Sequence, residues 1–444
     1  MTATQEAINK VNSAFSRSVV LSHPGCGPFV QHAARGLHEA GLLAEYVTTF
    51  HYDDRSALGR FLKLALRARY GDPEKQLARR RITEIPLKLV HGHPLPELLR
   101  MLSVEGGPIA ADLVWEQTER WFDRIVARRH LEGTTAIYGY EHACLESFKS
   151  QRARGGLCIY EMPITHHKTT SAILAEEFDT YPEAVTKRDL HLRKLAWRRN
   201  ARKDQELGLA DLVIVNSSFT KQSLADAGIP EGRIKVIPLG APNVNKEIRS
   251  QPKSPFIFLS AGTQSVRKGV HYLLQAWRKL RPAGDVELWL IGQMALPGRL
   301  LADLPGKVVI RPSVPREELM EIYGRASVLV FPSLCEGFGM VITEAMANGL
   351  PVITTNNTGG PAFIQHGRNG FLIPIRDADC LAETMQWCLD RRLDLVEISA
   401  RASESAAKWQ WRDYRAALGN TLAQLLVKSN QVAGEDSAPF KTAG

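Results

Sequence analysis

The chain has 444 residues, of which 44% are hydrophobic and 23% are charged, and its formal net charge is +9. This length suits two domains of ordinary size, and the composition excludes fibrous, low-complexity and wholly disordered proteins. The positive charge favours an anionic partner, but it does not distinguish phosphorylated donors, anionic lipids and nucleic acid.

Three features bear on the cellular compartment. The N-terminal segment, Met1 to Arg17, is polar and lacks the apolar core of a secretory signal. Apolar runs such as Ser327 to Phe331 are far shorter than the roughly 20 residues of a membrane-spanning helix. The six cysteines form no Cys-x-x-Cys pair and no cluster with zinc-ligand spacing. We therefore expect a cytoplasmic protein with reduced thiols.

Short apolar segments rich in β-branched residues recur through the first half of the chain, and helical patterns separate several of them. The segments are Ser18 to Ser22, Ala44 to Phe50, Thr135 to Gly139, Leu157 to Met162, Leu212 to Asn216 and Ile234 to Leu239. Continuous apolar strands that alternate with amphipathic helices are typical of a parallel sheet covered on both faces. This half therefore predicts a first doubly wound α/β domain.

A second series with the same pattern follows. Its segments are Phe256 to Ser260, Val286 to Ile291, Val308 to Arg311, Ser327 to Phe331, Pro351 to Thr354 and Gly370 to Ile373. The proline-containing stretch from Gly240 to Pro255 lies between the two series and has the composition of a linker. The prediction is an α/β protein with two Rossmann-like domains, residues 1–250 and 251–410, that face a cleft.

Residues 52–121 have a helical pattern and exceed a simple crossover, so we interpret them as a helical insertion on the first domain. The part from Arg60 to Arg81 interleaves basic and apolar residues. It fits a basic amphipathic helix lying peripherally on the inner face of the membrane, and it fits a solvated helix face equally well.

The end of the chain contains one more amphipathic pattern. Residues 411–428 predict a helix, and residues 429–444 are polar and rich in small residues, which predicts a disordered tail.

Doubly wound sheets bind ligands at the carboxyl ends of their strands. The segment from Phe331 to Gly349 leaves a strand, turns through Gly337 and Gly339, and opens a helix near Met340. Glycines permit close approach of the backbone, and the free N–H groups of a helix start bind anions. Glu336 and Glu344 flank this turn, and carboxylates accept hydrogen bonds from sugar hydroxyls.

The first strand of the same domain also ends in charged residues. Arg267 and Lys268 follow the strand from Phe256 to Ser260, which places them at the ligand edge of the sheet. Two cations there would bind a diphosphate and stabilise charge on a departing nucleotide.

With these motifs in view, the sequence resembles the retaining GT-B glycosyltransferases of family 4. The Glu336-x7-Glu344 spacing within Pro-Ser-x-x-Glu-Gly-Phe-Gly, with Arg267-Lys268-Gly269 upstream, is similar to the donor-binding signature of that family. The stretches Ala210 to Lys221 and Ile234 to Gly240 resemble the end of its first domain. Trp411-x-x-Tyr414 resembles the start of the C-terminal helix that crosses back onto that domain.

The resemblance implies a role for each matching residue. Arg267 and Lys268 would hold the donor phosphates, Glu336 would bind sugar hydroxyls, and Glu344 would hold the ribose. Backbone N–H groups of Gly337, Phe338 and Gly339, with the helix start at Met340, would contact the phosphates. Val314, within Pro312-Ser-Val-Pro315, would contact the base.

Two candidate sites lie in the first half of the chain. His23-Pro-Gly-Cys-Gly-Pro28 resembles a glycine-rich loop of the family, in which Gly25 and Gly27 would approach the ligand, although Cys26 separates them here. His166 or His167 would hydrogen-bond the donor sugar, with His166 preferred. A simple strand-to-helix turn and structural histidines remain alternatives.

The implied reaction moves a hexose-type sugar from a UDP- or GDP-sugar to a saccharide or lipid-linked acceptor, with retention of configuration. We expect no metal, because no Asp-x-Asp motif is positioned to hold a divalent ion, and we expect no nucleic-acid partner. The rival interpretations are a sugar-nucleotide epimerase or hydrolase on the same fold, a basic nucleic-acid-binding protein suggested by Arg193 to Arg202, and a silent binding module.

Overall fold

The computed structural model describes residues 18–56, 59–60, 63, 77, 80–103, 107–245 and 254–436. Most of the basic stretch from Arg60 to Arg81 lies outside these residues, as do residues 437–444 of the predicted tail. Two sheets dominate the described part of the chain.

The first sheet has seven strands in the order β3-β2-β1-β4-β5-β6-β7. Its strands are β1 (Val19–Ser22), β2 (Leu43–Thr48), β3 (Val90–Gly92), β4 (Ala136–Tyr140), β5 (Leu157–Met162), β6 (Leu212–Val215) and β7 (Ile234–Val236).

The second sheet has six strands in the order β10-β9-β8-β11-β12-β13. Its strands are β8 (Phe256–Ala261), β9 (Val286–Ile291), β10 (Lys307–Arg311), β11 (Val328–Phe331), β12 (Val352–Thr355) and β13 (Phe371–Ile373).

In both sheets the chain first forms a central strand and adds the next two strands on one side of it. The remaining strands are then added on the other side of that central strand. The central pairings are parallel, β1 with β4 and β8 with β11. This is the doubly wound order of Rossmann-like domains, and it creates a ligand-binding crevice where the strand order reverses. Two doubly wound α/β domains are thereby confirmed.

The described residues also form thirteen α-helices with assigned bounds. They are α1 (Pro28–Glu39), α2 (Pro94–Ser103), α3 (Gly107–Arg129), α4 (Leu145–Ala153), α5 (His167–Thr180), α6 (Lys187–Leu209), α7 (Ser218–Asp226), α8 (Val270–Leu280), α9 (Arg316–Arg325), α10 (Met340–Ala347), α11 (Ala378–Asp390), α12 (Asp394–Ala407) and α13 (Trp411–Asp436). Among the described residues, none of the helices is long and apolar enough to cross a bilayer.

The core of the second sheet explains why its strands β8 and β9 are largely apolar. All six residues of β8 and all six of β9 are buried, because helices cover both faces of a parallel sheet. Trp277 of α8 is fully buried in this core. Its indole Nε1 donates a hydrogen bond to the carbonyl of Pro305 at 2.7 Å, so burial of the ring leaves no polar atom unsatisfied.

The chain divides into two compact units. One comprises Met1–Glu161, Arg202–Leu212 and Arg412–Gly444, and the other comprises Met162–Ala201 and Val213–Trp411. The sequence had placed one boundary near residue 250, whereas this division groups Met162–Ala201 and the residues from Val213 onward with the second sheet.

The segment predicted as a helical insertion, residues 52–121, also contains a strand. Strand β3 pairs in parallel with β2, with Tyr46 opposite Val90 and Thr48 opposite Gly92. The helical prediction was wrong there because a three-residue edge strand is too short to establish an alternating pattern. Helices α2 and α3 account for the helical pattern that follows.

The last helix is longer than predicted. Helix α13 continues to Asp436, so the prediction of a disordered tail from residue 429 was wrong for residues 429–436. Helix α13 packs on α1 within the first unit: Arg415 Nε donates to Glu39 at 2.7 Å. A Cβ placed on Gly36 would lie 3.1 Å from the backbone of Arg415, so the close approach of the two helices favours a glycine.

Candidate active site

Three charged residues predicted from different parts of the sequence meet in the second unit. Arg267 follows β8 and Glu336 follows β11, the two strands between which the strand order reverses. Arg267 Nη1 lies 3.1 Å from Glu336 Oε2, and Lys268 Nζ pairs with the same oxygen. The chain thus concentrates two cations and one carboxylate at the position where doubly wound sheets bind ligands.

Backbone hydrogen bonds fix these two loops to each other. The amide of Leu334 donates to the carbonyl of Arg267 at 3.0 Å. In return, the guanidinium of Arg267 donates to the carbonyl of Cys335 at 2.9 Å. The two loops are therefore fixed to each other, and Arg267 is held by the main chain of the second loop, which limits the entropy that is lost when a ligand orders these groups.

The ionisation of the three groups follows from their surroundings. Burial raises the pKa of Glu336, but the charges of Arg267 and Lys268 outweigh burial and leave that pKa below its usual value. Burial lowers the pKa of Lys268, and its ion pair with Glu336 opposes this shift. Lys268 Nζ also lies 4.6 Å from the ring centroid of Phe331, a favourable cation–π distance.

Two glycines shape the turn that follows Glu336. Gly339 has φ of 86° and caps α10. This left-handed backbone conformation is unfavourable for any residue that has a side chain. A Cβ on Gly337 would lie 1.8 Å from the carbonyl oxygen of Pro163, so the main chain of the turn packs directly on the loop after β5.

The turn also presents main-chain donors. The first N–H groups of a helix have no partner within it, and those at the start of α10 lie at its positive end. The buried ring of Phe338 packs against Phe363 with centroids 5.9 Å apart. Gly337, Phe338, Gly339 and Met340 therefore form a rigid helix start beside Glu336, of the kind that binds phosphate groups.

Glu344 lies one turn into α10 and is 7% exposed. Arg316 Nη2 of α9 lies 3.3 Å from its Oε1, and Tyr323 Oη donates to its Oε2 at 3.3 Å. Burial raises the pKa of Glu344, while Arg316 and the hydroxyl of Tyr323 act in the opposite direction. The carboxylate is therefore oriented by two residues of one helix.

Sequence reasoning missed Arg316 and Tyr323. The two residues are seven positions apart, a spacing that places them on the same face of a helix. That signal was available, but nothing in the sequence showed that this face of α9 meets α10.

Val314 is half-buried in the loop between β10 and α9, two residues before Arg316.

His166 takes a structural position that the sequence did not indicate. Its ring caps helix α5, because Nδ1 accepts a hydrogen bond from the amide of Lys168 at 3.3 Å. The residue is 3% exposed, and its own amide donates to Ser223 Oγ at 3.1 Å. His167 is half-buried, with its ring 4.3 Å from that of His166. Sugar binding by either residue stays a prediction.

Helix α5 is anchored within the second unit by a buried carboxylate. Glu177 accepts a hydrogen bond from His271 Nε2 at 2.9 Å and also pairs with Arg376. His271 is the second residue of α8, which begins directly after Arg267, Lys268 and Gly269. The helix with the two histidines is therefore tied to the helix that follows the two cations.

The predicted glycine-rich loop lies in the first unit, at the end of β1. Gly25 donates its amide to His23 Nδ1 at 2.8 Å and accepts a hydrogen bond from Tyr46 Oη at 2.9 Å. Gly27 is the N-cap of α1 and has an extended conformation. Burial raises the pKa of the Cys26 thiol between them to about 11, which keeps this thiol protonated at neutral pH. Ligand binding by Gly25 and Gly27 stays a prediction.

The sequence contains one Asp-x-Asp stretch, Asp377-Ala378-Asp379. Asp377 accepts a hydrogen bond from the amide of Cys380 at 2.8 Å and caps α11. Asp379 pairs with Lys279 of α8. Both carboxylates thus have structural partners within the second unit.

Sequence comparisons relate part of the chain to known glycosyltransferases. Residues 255–391 match the family model described as glycosyl transferases group 1. An amylovoran biosynthesis glycosyltransferase of Erwinia amylovora is 29% identical over 43% of this chain and 51% of its own length. A D-inositol 3-phosphate glycosyltransferase of Paenarthrobacter aurescens is 31% identical over 48% of this chain and 58% of its own length. The chain spans about half the length of the curated relatives it matches.

Solved structures share the fold over nearly the whole chain. A sucrose-phosphate synthase from Thermosynechococcus elongatus superposes with a TM-score of 0.59 at 19% identity, covering 92% of this chain and 99% of the other. Anabaena HepE in complex with UDP-glucose superposes with a TM-score of 0.55 at 16% identity, covering 91% and 99%. Residues 255–391 therefore match the glycosyl transferases group 1 model, and the chain has the GT-B fold.

Proposed function

We propose that this protein is a hexosyltransferase that moves a sugar from a UDP- or GDP-sugar to a saccharide or lipid-linked acceptor in polysaccharide or glycolipid biosynthesis. The observation that carries the proposal is the meeting of Arg267, Lys268 and Glu336 beside the start of α10. This arrangement offers cations and main-chain donors to a diphosphate, and a carboxylate to the sugar attached to it.

Sugar transfer requires groups that stabilise the departing diphosphate. The bond between the sugar and the β-phosphate breaks through an oxocarbenium-like transition state, so negative charge grows on the departing diphosphate. Arg267, Lys268 and the N–H groups near Gly339 would stabilise that charge. Glu336 would accept hydrogen bonds from sugar hydroxyls, and Glu344 would accept them from the ribose.

The proposed donor is a nucleotide sugar. HepE, which shares the fold, has been solved with UDP-glucose and with UDP, and this supports a nucleotide sugar as the donor. The names of the curated relatives refer to different molecules, among them amylovoran and D-inositol 3-phosphate. The acceptor is accordingly proposed only as a class.

Retention and metal independence belong to the same proposal. The acceptor would attack on the face from which the diphosphate departs, and the departing phosphate would help to remove the acceptor proton. His166 would hydrogen-bond the sugar. Assignment of the anomeric proton of the product by NMR would test retention, and an inverted product would refute it. Unchanged turnover after exhaustive chelation is the expected result for metal independence.

Location is a further part of the proposal. We propose a cytoplasmic protein that binds the inner face of the membrane peripherally through residues 60–81 and has no nucleic-acid partner. A variant with the basic residues of this stretch neutralised should bind anionic vesicles more weakly than the wild type at low salt. Unchanged vesicle binding by that variant would reject a role for the stretch.

The test of the function is a thermal-shift panel with UDP, GDP, ADP and CMP. A ligand at 100 times its Kd stabilises the native state by about 2.7 kcal/mol, so one nucleotide should raise Tm clearly. The shift should disappear in Lys268→Ala and Glu344→Ala. It should persist in Lys279→Ala, because Lys279 pairs with Asp379 on the surface of the same unit. A panel without any shift would contradict the proposed donor site.

Product analysis separates transfer from the rival reactions. With the nucleotide sugar that binds, we expect a glycosylated acceptor and a free nucleoside diphosphate. Free sugar formed at the same rate without acceptor would indicate a hydrolase, and an isomeric nucleotide sugar would indicate an epimerase.

A further inference from the structure

Helix α6 carries a charge pattern that the donor site does not use. Its segment in the second unit, residues 187–201, contains six basic residues and a single acidic residue, Asp189. A strongly basic helix of this kind is either a solvated surface or a binding surface for an anionic partner. The residues that this helix exposes distinguish a solvated surface from a binding surface.

The exposed residues of this segment recur at intervals of three or four. They are Lys187, Leu190, Arg193, Lys194, Trp197, Arg198 and Ala201. Residues at this spacing lie on one face of a helix. Leu192, Leu195 and Ala196 lie on the opposite side and are half-buried. We refer to the seven exposed residues as the α6 face.

The centre of the α6 face is apolar. Trp197 is 70% exposed and Leu190 is 49% exposed. They are seven positions apart, which separates them by about 10 Å along the helix. Successive residues of a helix are rotated by about 100° around its axis. Arg193 therefore lies on one side of the line from Leu190 to Trp197, and Lys194 and Arg198 lie on the other side. A large aromatic side chain is thus held in water between cations.

We infer that the α6 face docks on an anionic lipid surface. Cations attract acidic headgroups, while tryptophan and leucine at the centre enter the boundary between headgroups and acyl chains, where an indole ring is favoured. The long stems of Lys194 and Arg198 allow their charged ends to stay at headgroup level. A nucleic-acid backbone would use the cations but would leave Leu190 without an apolar partner. This inference does not depend on sugar transfer or on residues 60–81.

The test uses the full chain and vesicles of phosphatidylglycerol mixed with phosphatidylcholine, with pure phosphatidylcholine vesicles as the uncharged comparison. We expect co-sedimentation with the mixed vesicles only. Each lysine or arginine near an anionic membrane surface changes the affinity of a protein for that membrane roughly fivefold. Replacing Lys187, Arg193, Lys194 and Arg198 with Gln should therefore lower affinity by about a hundredfold or more. The same change at Lys235, Arg368, Lys408 and Arg412, which are also exposed, should lower it far less.

Insertion of the apolar centre has its own readout. Vesicles should shift the tryptophan emission of the protein to shorter wavelength, and Trp197→Phe should remove most of this shift while it retains binding. The double variant Leu190→Ser with Trp197→Ser should bind weakly although its charge is unchanged.

Three results would overturn the inference. The first is equal vesicle binding by the wild type and the Gln variant of the α6 face. The second is a loss with the four control substitutions as large as that with the α6 face variant. The third is tight binding to double-stranded DNA, with no effect of the double Ser variant on either ligand, which would make the face a nucleic-acid surface.

Discussion

Tyr323 Oη donates a hydrogen bond to Glu344 Oε2 at 3.3 Å, across the contact between helices α9 and α10. Tyr323 is fully buried, so its hydroxyl has no water to replace this partner. Glu344, which is proposed to bind the ribose, is thus oriented by Tyr323, a residue outside the donor signature.

Loss of this hydroxyl should weaken nucleotide binding. A hydrogen bond to a charged group contributes about 1.5–3 kcal/mol, so Tyr323→Phe should raise the Kd of the bound nucleoside diphosphate roughly tenfold or more. The preference for that nucleotide over its 2′-deoxy form should fall as well, because Glu344 would lose its orientation. Calorimetric titration with both forms measures these effects. An unchanged preference would show that Tyr323 acts only in packing.

The ionisation of Glu344 predicts the pH dependence of binding. Burial raises the pKa of Glu344 above its ordinary value of 4.5, so protonation begins at a higher pH than for an exposed glutamate. A protonated carboxyl loses acceptor capacity, and nucleotide affinity should therefore decrease as the pH falls through the raised pKa. In Tyr323→Phe the decrease should begin at higher pH, since one group that favours the carboxylate has gone. Titrations across the acidic range would detect this, and coincident pH profiles would count against it.

The cations should affect turnover more than stability. Removal of one donor that stabilises charge in a transition state costs about 10²–10³ in rate. Lys268→Met should therefore lower kcat by that order while Tm changes little. Lys279→Met, whose lysine forms a surface pair with Asp379, is the matched control and should retain full activity. Equal losses in both variants would mean that lysine removal acts through the fold.

Gly337 is predicted to tolerate no side chain. Its hypothetical Cβ lies 1.8 Å from the carbonyl oxygen of Pro163 and 2.5 Å from the carbonyl carbon, so a main-chain segment would have to move. Overpacking of this kind costs about 1–3 kcal/mol, and Gly337→Ala should lower both urea stability and nucleotide affinity. Gly298→Ala is the control, because nothing lies within 4 Å of the corresponding Cβ. Comparable stability of the two variants would refute the prediction.

A buried carboxylate in the first unit predicts a pH effect on stability. Burial raises the pKa of Glu206 to about 8 from 4.5, although Arg202 Nε lies 3.2 Å from Glu206 Oε1. Between these two values the folded state binds more protons than the unfolded state, so the free energy of unfolding should fall as pH rises from 4.5 to about 8. Glu206→Gln should flatten this part of the curve in urea unfolding measured at several pH values. An equally steep curve in the variant would assign the effect to another group.

Much of the fold was predictable because its signals are local. The strands of both sheets appear in the sequence as short, largely apolar runs, since burial on both faces favours apolar side chains at most positions. The turn through Gly337 and Gly339 and the charged ends of β8 and β11 were equally visible, because glycines and charges at strand ends stand out from apolar surroundings. Strand β3 was missed because three residues at a sheet edge carry too little pattern.

The sequence by itself therefore determined the two doubly wound domains and the residue types at their ligand edges. Only the tertiary structure decided which of those residues meet. Glu336 reaches both Arg267 and Lys268 because β8 and β11 are neighbours across the reversal of strand order. Tyr323 and Arg316 act on Glu344 because α9 packs beside α10, and His166 became a helix cap. Such pairings depend on contacts between residues that are distant in the chain, which a local pattern does not encode.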